Sequence, residues 1–190
     1  MTRSKARTIG VIVEDRSDFC TIREFVSKIP SNKQIVLRGI YCKGCGRITS
    51  KSQRMVSDLE QKSCSELIIV RDLDENDEST IRREITEAFG SSPITRRVII
   101  IPIKTIEAWL LSDMNAIKKV YHFSKLNLRE IPNTESIDKP KEFLEDFVRM
   151  RIKKRYINVV HNPMIAQNID IKKVLKCPSF VPLYEYIKET

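Results

Sequence analysis

Apolar residues in this chain follow two rhythms. Thr8-Ile9-Gly10-Val11-Ile12-Val13, the run beginning at Gln34 to Leu37, Leu67-Ile68-Ile69-Val70 and Val98 to Ile101 are short, rich in β-branched residues and bounded by polar ones. They read as strands buried on both faces. Between them the apolar positions recur at helical spacing. Phe19, Ile22, Phe25, Val26 and Ile29 mark a first helix, with Ser17 as the expected N-cap and Pro30 as the stop. Met55 and Leu59 fall in a helix predicted over Thr49 to Gln61. Ile81, Ile85, Ala88 and Phe89 fall in another over Ser79 to Phe89, and Trp109, Leu110 and Leu111 in a third over Thr105 to Ser112. Arg38 to Arg47 contains three glycines and reads as a loop. Strands alternating with helices predict an α/β fold: a mostly parallel four-stranded sheet flanked by helices on both faces.

The strand rhythm fades after Asp113. Ile117 to Tyr121 reads as helical and 124–137 as a polar loop. Asp138-Lys139-Pro140 starts a helix whose stripe is Phe143, Leu144, Phe147, Val148 and Ile152. Shorter helices are expected over Met164 to Asn168, Ile171 to Leu175 and Val181 to Ile187, punctuated by Pro163, Pro178 and Pro182. The organisation expected is an α/β core over 1–121 and a helical C-terminal extension over 122–190 packed on it as one globular unit.

The chain has 190 residues and a net charge of +9. That charge suits an anionic partner such as nucleic acid. No apolar run approaches the roughly 18 residues of a membrane span, and the basic N-terminus leads straight into a strand, so a cytoplasmic protein is expected. Five cysteines, an odd number, argue against a disulfide framework. Cys42 and Cys45 form one isolated CxxC, and zinc would need a second pair.

Acidic residues cluster after the strands. Glu14 follows the first, Asp72 and Asp74 the third, and Glu107 the fourth. Ligand sites in parallel sheets form at those strand ends. If the third strand extends through Asp72 and Asp74, both side chains point to one face. Two carboxylates about 4 Å apart repel by roughly 4 kcal/mol at an effective dielectric near 20, and a divalent cation removes that cost. The bland alternative is a solvated turn in which Asp77 or Ser79 caps the next helix. Asp18 and Asp77 are secondary acids beside the cluster, and Arg71 balances its charge. Arg149 to Arg155 is strongly basic, so Lys153, Lys154 and Arg155, with Lys104, are candidates for nucleic-acid contact.

Val13-Glu14 followed by Arg71-Asp72-Leu73-Asp74 resembles a TOPRIM domain, the metal-binding fold of topoisomerases, bacterial primases, a small ribosomal-RNA maturase and overcoming-lysogenization-defect nucleases. More narrowly, Ile103-Lys104-Thr105-Ile106-Glu107-Ala108-Trp109-Leu110-Leu111-Ser112-Asp113 is similar to the Glu-Ala-Trp-Leu-Leu-x-Asp signature of a TOPRIM-like bacterial family, domain of unknown function 4276. Asp138-Lys139-Pro140-Lys141 and Cys177-Pro178-Ser179-Phe180 resemble its later motifs. One residue departs: Asp15 stands where these proteins usually carry Gly after the first-strand Glu.

The resemblance implies phosphoryl-transfer chemistry with Mg2+ (or Mn2+). Asp72 and Asp74 would hold the metal, and Glu14 would act as general acid/base or further ligand. Glu107 would be another ligand or a positioner of Lys104. Lys43 would touch phosphate, while Trp109 reads as core. The expected function is a magnesium-dependent nuclease acting on DNA or RNA, in a bacterial antiviral defence module. The alternative is a catalytically silent nucleic-acid-binding or regulatory subunit of an ABC-type ATPase complex.

Overall fold

The computed structural model describes residues 6–42, 46–123 and 128–189. In chain order the elements are β1 (Arg7–Val13), α1 (Arg16–Lys28), β2 (Ile35–Tyr41), α2 (Gly46–Ser50), α3 (Ser52–Gln61), β3 (Glu66–Val70), α4 (Glu78–Ala88), β4 (Arg96–Ile100), α5 (Glu107–Leu110) and α6 (Met114–Val120). A 3-10 turn at Thr134–Ser136 precedes α7 (Pro140–Phe147), which runs into a π-helical turn at Val148–Ile152. Then come α8 (Asn158–Asn168), α9 (Ile171–Val174), a 3-10 turn at Pro178–Phe180, and α10 (Val181–Lys188).

All four strands are parallel, in the order β2-β1-β3-β4. The architecture is Rossmann-like. Chain connections leave β1 toward one edge and β3 toward the other, so the order reverses between these two strands. That reversal opens a crevice beyond their carboxyl ends, where α/β sheets bind ligands.

Alternate strand residues feed two cores. Ile9, Val11, Val13, Ile68, Val70 and Ile100 face α1, α5 and the C-terminal helices. Ile12, Leu67 and Ile69 face α3 and α4. Ile9 to Val13 and Leu67 to Val70 are covered on both faces, which is why they read as unbroken apolar runs. Trp109 is fully buried, as its apolar context predicts. It meets Phe25 and Phe180 edge-on, with centroids 5.9 and 5.1 Å away. Its indole N–H donates to Ser179 Oγ at 2.8 Å, and Ser179 donates to buried Glu135. The Glu-Ala-Trp-Leu-Leu segment and the Cys-Pro-Ser-Phe segment are thus two halves of one packing unit, and residues beyond 122 share the core of β1 and α1.

Several local expectations change. Ser17 does not cap α1; Asp15 does, in an extended conformation (φ −137°), and it forms a reciprocal capping box with Asp18. The left-handed turn that Gly would permit at Asp15 is therefore not used. β2 runs on to Tyr41, because its ladder to β1 continues through Gly39, where Phe19 packs 2.7 Å from the position a Cβ would take. The helix expected over Thr49 to Gln61 breaks into α2 and α3 at Lys51. Pro163 does not delimit α8 but lies inside it. Tertiary bonds of Asn162 to Glu107 and Tyr156 and the local bonds of His161 to Ile157 hold the turn, and proline forfeits one backbone bond.

Candidate metal centre

Glu14 extends one residue beyond β1. Asp72 lies two residues beyond β3, past Arg71, whose amide still pairs with Ile100 at 3.1 Å. Leu73 pairs with Pro102 in the same way at 3.0 Å, and Asp74 then turns left-handed (φ 48°). Its amide reaches the carbonyl of Lys104, which is also left-handed (φ 62°). The extended stretch thus ends at Leu73 and does not carry Asp74 as a strand residue, which corrects the expectation. Two adjacent non-glycine residues in this sparse region mark a strained rim, and Asp74 is exposed while Asp72 is half-buried.

The rim's carboxylates act on one another. Burial pushes the Asp72 pKa well above the ordinary carboxylate range, and the charges of Asp18, Glu107, Glu14 and Asp74 push it further. Asp18 is raised to about 7, first by burial and then by Asp15, against the pull of its backbone bond, with Glu107 and Glu14 adding. Glu14 is raised by burial and by Asp74, partly offset by Arg71. Arg71 is buried and pairs with Glu84 on α4 at 2.8 Å. It serves as the balancing charge the sequence suggested. Four elements, β1, α1, β3 and α5, therefore deliver acids to the crevice at the strand-order reversal.

Glu107 is 3% exposed. Its Oε1 accepts from Asn162 Nδ2 at 3.1 Å and from Tyr156 Oη at 3.2 Å, while Tyr156 and Asn162 also bond to each other. These donors are neutral, so the carboxylate is oriented without an ion pair. His161 stacks between Tyr121 and Tyr156, centroids 4.9 and 6.0 Å away. Tyr156 and Asn162 went unassigned in the sequence. No sequence signal marks them, since the burial of Asn162 emerges only in the fold. The D-x-x-D spacing of Asp15 and Asp18 was the signal for the capping box.

Other expected residues are placed as follows. Lys104 does not approach Glu107; its ammonium bridges Glu75 (2.9 Å) and Asp138 (3.0 Å) over a cleft of about 210 Å³ lined also by Asp74, Thr105 and Pro140. Asp77 caps α4, accepting from the Thr80 amide at 2.9 Å. Lys154 donates to the Tyr121 carbonyl at 2.8 Å, while Lys153 and Arg155 are exposed. Lys43 and Cys45 lie outside the described residues. Cys42 does not sit in an open loop but is buried against Met55, and burial raises its thiol to about 11. Cys20, Cys42, Cys64 and Cys177 carry free thiols.

The donor chemistry fits a hard divalent cation: all oxygen, several carboxylates, and a buried Glu14 Oε1 that has no hydrogen-bond partner. Among the described residues, no three His, Cys, Asp or Glu side chains are already gathered tightly enough to hold an ion. Mutually repelling carboxylates draw together when a cation offsets their charge.

A family model described as a domain of unknown function (DUF4276) matches residues 13–188. The chain belongs to this family. The DUF4276 match begins immediately before Glu14 and includes every acid of the rim and the Trp109–Ser179 contact. No curated protein and no solved structure matches the chain significantly. No helix among the described residues is long and apolar enough to cross a membrane.

Proposed function

We propose that this DUF4276 protein is a magnesium-dependent nuclease built on a TOPRIM-like core. The observation that carries the reading is the crowding of Glu14, Asp18, Asp72 and Glu107 at the strand-order reversal, where the charges of Glu14, Asp18 and Glu107 raise the cost of ionising Asp72. Such a charge arrangement costs stability unless a cation is held there, and groups with perturbed acidity gather at functional sites.

Asp72 and Asp74 would hold the metal, with Glu14 beside them. Bound magnesium would supply Lewis-acid polarisation of a phosphoryl oxygen and neutralise developing charge. Glu14, whose pKa burial raises, suits proton transfer as a general acid/base. Tyr156 and Asn162 hold Glu107 in one orientation. The net charge of +9 favours a phosphodiester polymer as substrate. Free thiols accord with a cytoplasmic setting, and the TOPRIM-like resemblance suggests a defence role.

The competing reading is a silent nucleic-acid-binding or regulatory subunit beside an ABC-type ATPase. Incubation with DNA and RNA substrates, with and without Mg2+, separates the two. Metal-dependent cleavage that disappears in Asp72→Ala is expected. Cleavage retained by that variant, or absent from the wild type under all metal conditions, would refute the nuclease.

A further inference from the structure

Exposed large apolar side chains concentrate in one segment of the chain. Met150, Ile157, Val159, Val160 and Met164 are 38–60% exposed, and all fall within 150–164. On α8, helical spacing places Val159, Val160, Pro163 and Met164 on one side and Asn162, Ile165 and Ala166 on the other. The second set is buried. Helix α8 is therefore apolar on both sides, a pattern that belongs to a helix covered on both. Its inner side packs on α1 and α6.

Charge identifies what covers the outer side. Between Asp146 and Asp170 the sequence has no acidic residue, yet it carries Arg149, Arg151, Lys153, Lys154 and Arg155. Arg149 pairs with Asp146 and Lys154 bonds to Tyr121. Among the described residues, Arg151, Lys153 and Arg155 have no acidic partner. A second copy of this chain would bring the same cations against them. A nucleic acid would use the cations but leave the aliphatic side chains of Val159, Val160 and Met164 without a role, since bases stack on aromatic rings.

We propose that the outer face of α8 and the basic run before it form a docking surface for a protein partner that presents an amphipathic helix with an apolar stripe and acidic flanks. This assigns Lys153 and Arg155 to protein contact and is independent of the metal reading. Helix-in-groove recognition of this kind uses apolar anchors one turn apart, with flanking charge setting specificity.

The test uses the full chain and two labelled peptides of roughly 20 residues, each with Leu at i, i+3, i+4 and i+7, one filled with Glu and one with Lys. Fluorescence anisotropy should show saturable, salt-sensitive binding of the Glu peptide alone. Val160→Glu and, separately, the pair Arg151→Glu and Lys153→Glu should each weaken it by at least about tenfold. Far-UV circular dichroism of both variants should match the wild type; these positions are exposed, and agreement between an apolar and a charge change excludes a folding artefact. Failure of the Glu peptide to bind, equal binding of the Lys peptide, or duplex DNA binding abolished by Val160→Glu would overturn the proposal. So would dimerisation of the wild type that Val160→Glu abolishes, which would make the occupant a second copy.

Discussion

The two ends of the sheet handle buried charge in opposite ways. At the amino end, Glu66 is 5% exposed and is held by Arg7 through two bonds, at 2.9 and 2.6 Å, with Arg96 at 3.3 Å. Arg7 also donates to the Ile187 carbonyl at 2.9 Å, and the Tyr186 ring lies near both guanidinium groups. Burial pushes the Glu66 pKa up, but its Arg7 bonds and the two arginine charges outweigh this and leave it below the ordinary range. At the carboxyl end, Arg71 offsets only part of the rise at Glu14 and is itself tied to Glu84, while Asp18 and Asp72 feel the charges of other carboxylates. One end is a closed ion network that fastens β1, β3 and α10. The other is left electrostatically unsettled, as a site awaiting a cation would be.

Removing charge should therefore act with opposite sign at the two ends. Arg7→Ala leaves Glu66 buried without its main partner and should destabilise the fold by about 3–5 kcal/mol, measured by urea unfolding. Asp72→Asn should do the reverse and raise the stability of the metal-free protein, by about 1–2 kcal/mol, while abolishing cleavage. A loss of stability in Asp72→Asn would erase the contrast.

The pH dependence sharpens it. Asp18, Asp72 and Glu14 have pKa values raised above their unfolded values. The folded state then binds more protons than the unfolded chain between those values, so this contribution is present at low pH and is lost as pH rises. For Asp18 the window runs from 3.8 to about 7. Glu66 and Asp113 are lowered and act oppositely, but only below the ordinary carboxylate range. Between pH 5 and 8 the metal-free protein should lose on the order of 2 kcal/mol, discounted for the partial exposure of Asp18. Millimolar Mg2+ should flatten that slope. A smaller effect is expected at Tyr156. Tyr156→Phe removes one donor from Glu107 and should reduce metal affinity or cleavage by about 10-fold while leaving the metal-free fold intact.

The contrast also explains what the sequence could reveal. β1 and β3 are buried on both faces, so their apolar runs announced the sheet, and the acids that follow them stood out against those runs. Glu14 and Asp72 were legible because each lies just past a strand end, and Glu107 because it opens the helix that follows β4. Tyr156 and Asn162 were not, because they reach Glu107 from the loop before α8 and from α8 itself, 49 and 55 residues away in sequence, and no local rhythm encodes such a meeting. The Arg7–Glu66 network was hidden for the same reason, spanning 59 residues. Helix α8 was misjudged at its start because proline usually breaks a helix, while the tertiary bonds of the neighbouring Asn162 here hold the turn together.

The central claim is that the carboxyl end of the sheet is a cation site. Calorimetric titration of Mg2+ into the wild type and Asp72→Asn at pH 7.5 tests it most directly. One saturable binding event in the wild type, absent from the variant, is the result expected. No binding to the wild type, or equal heats in both proteins, would contradict it.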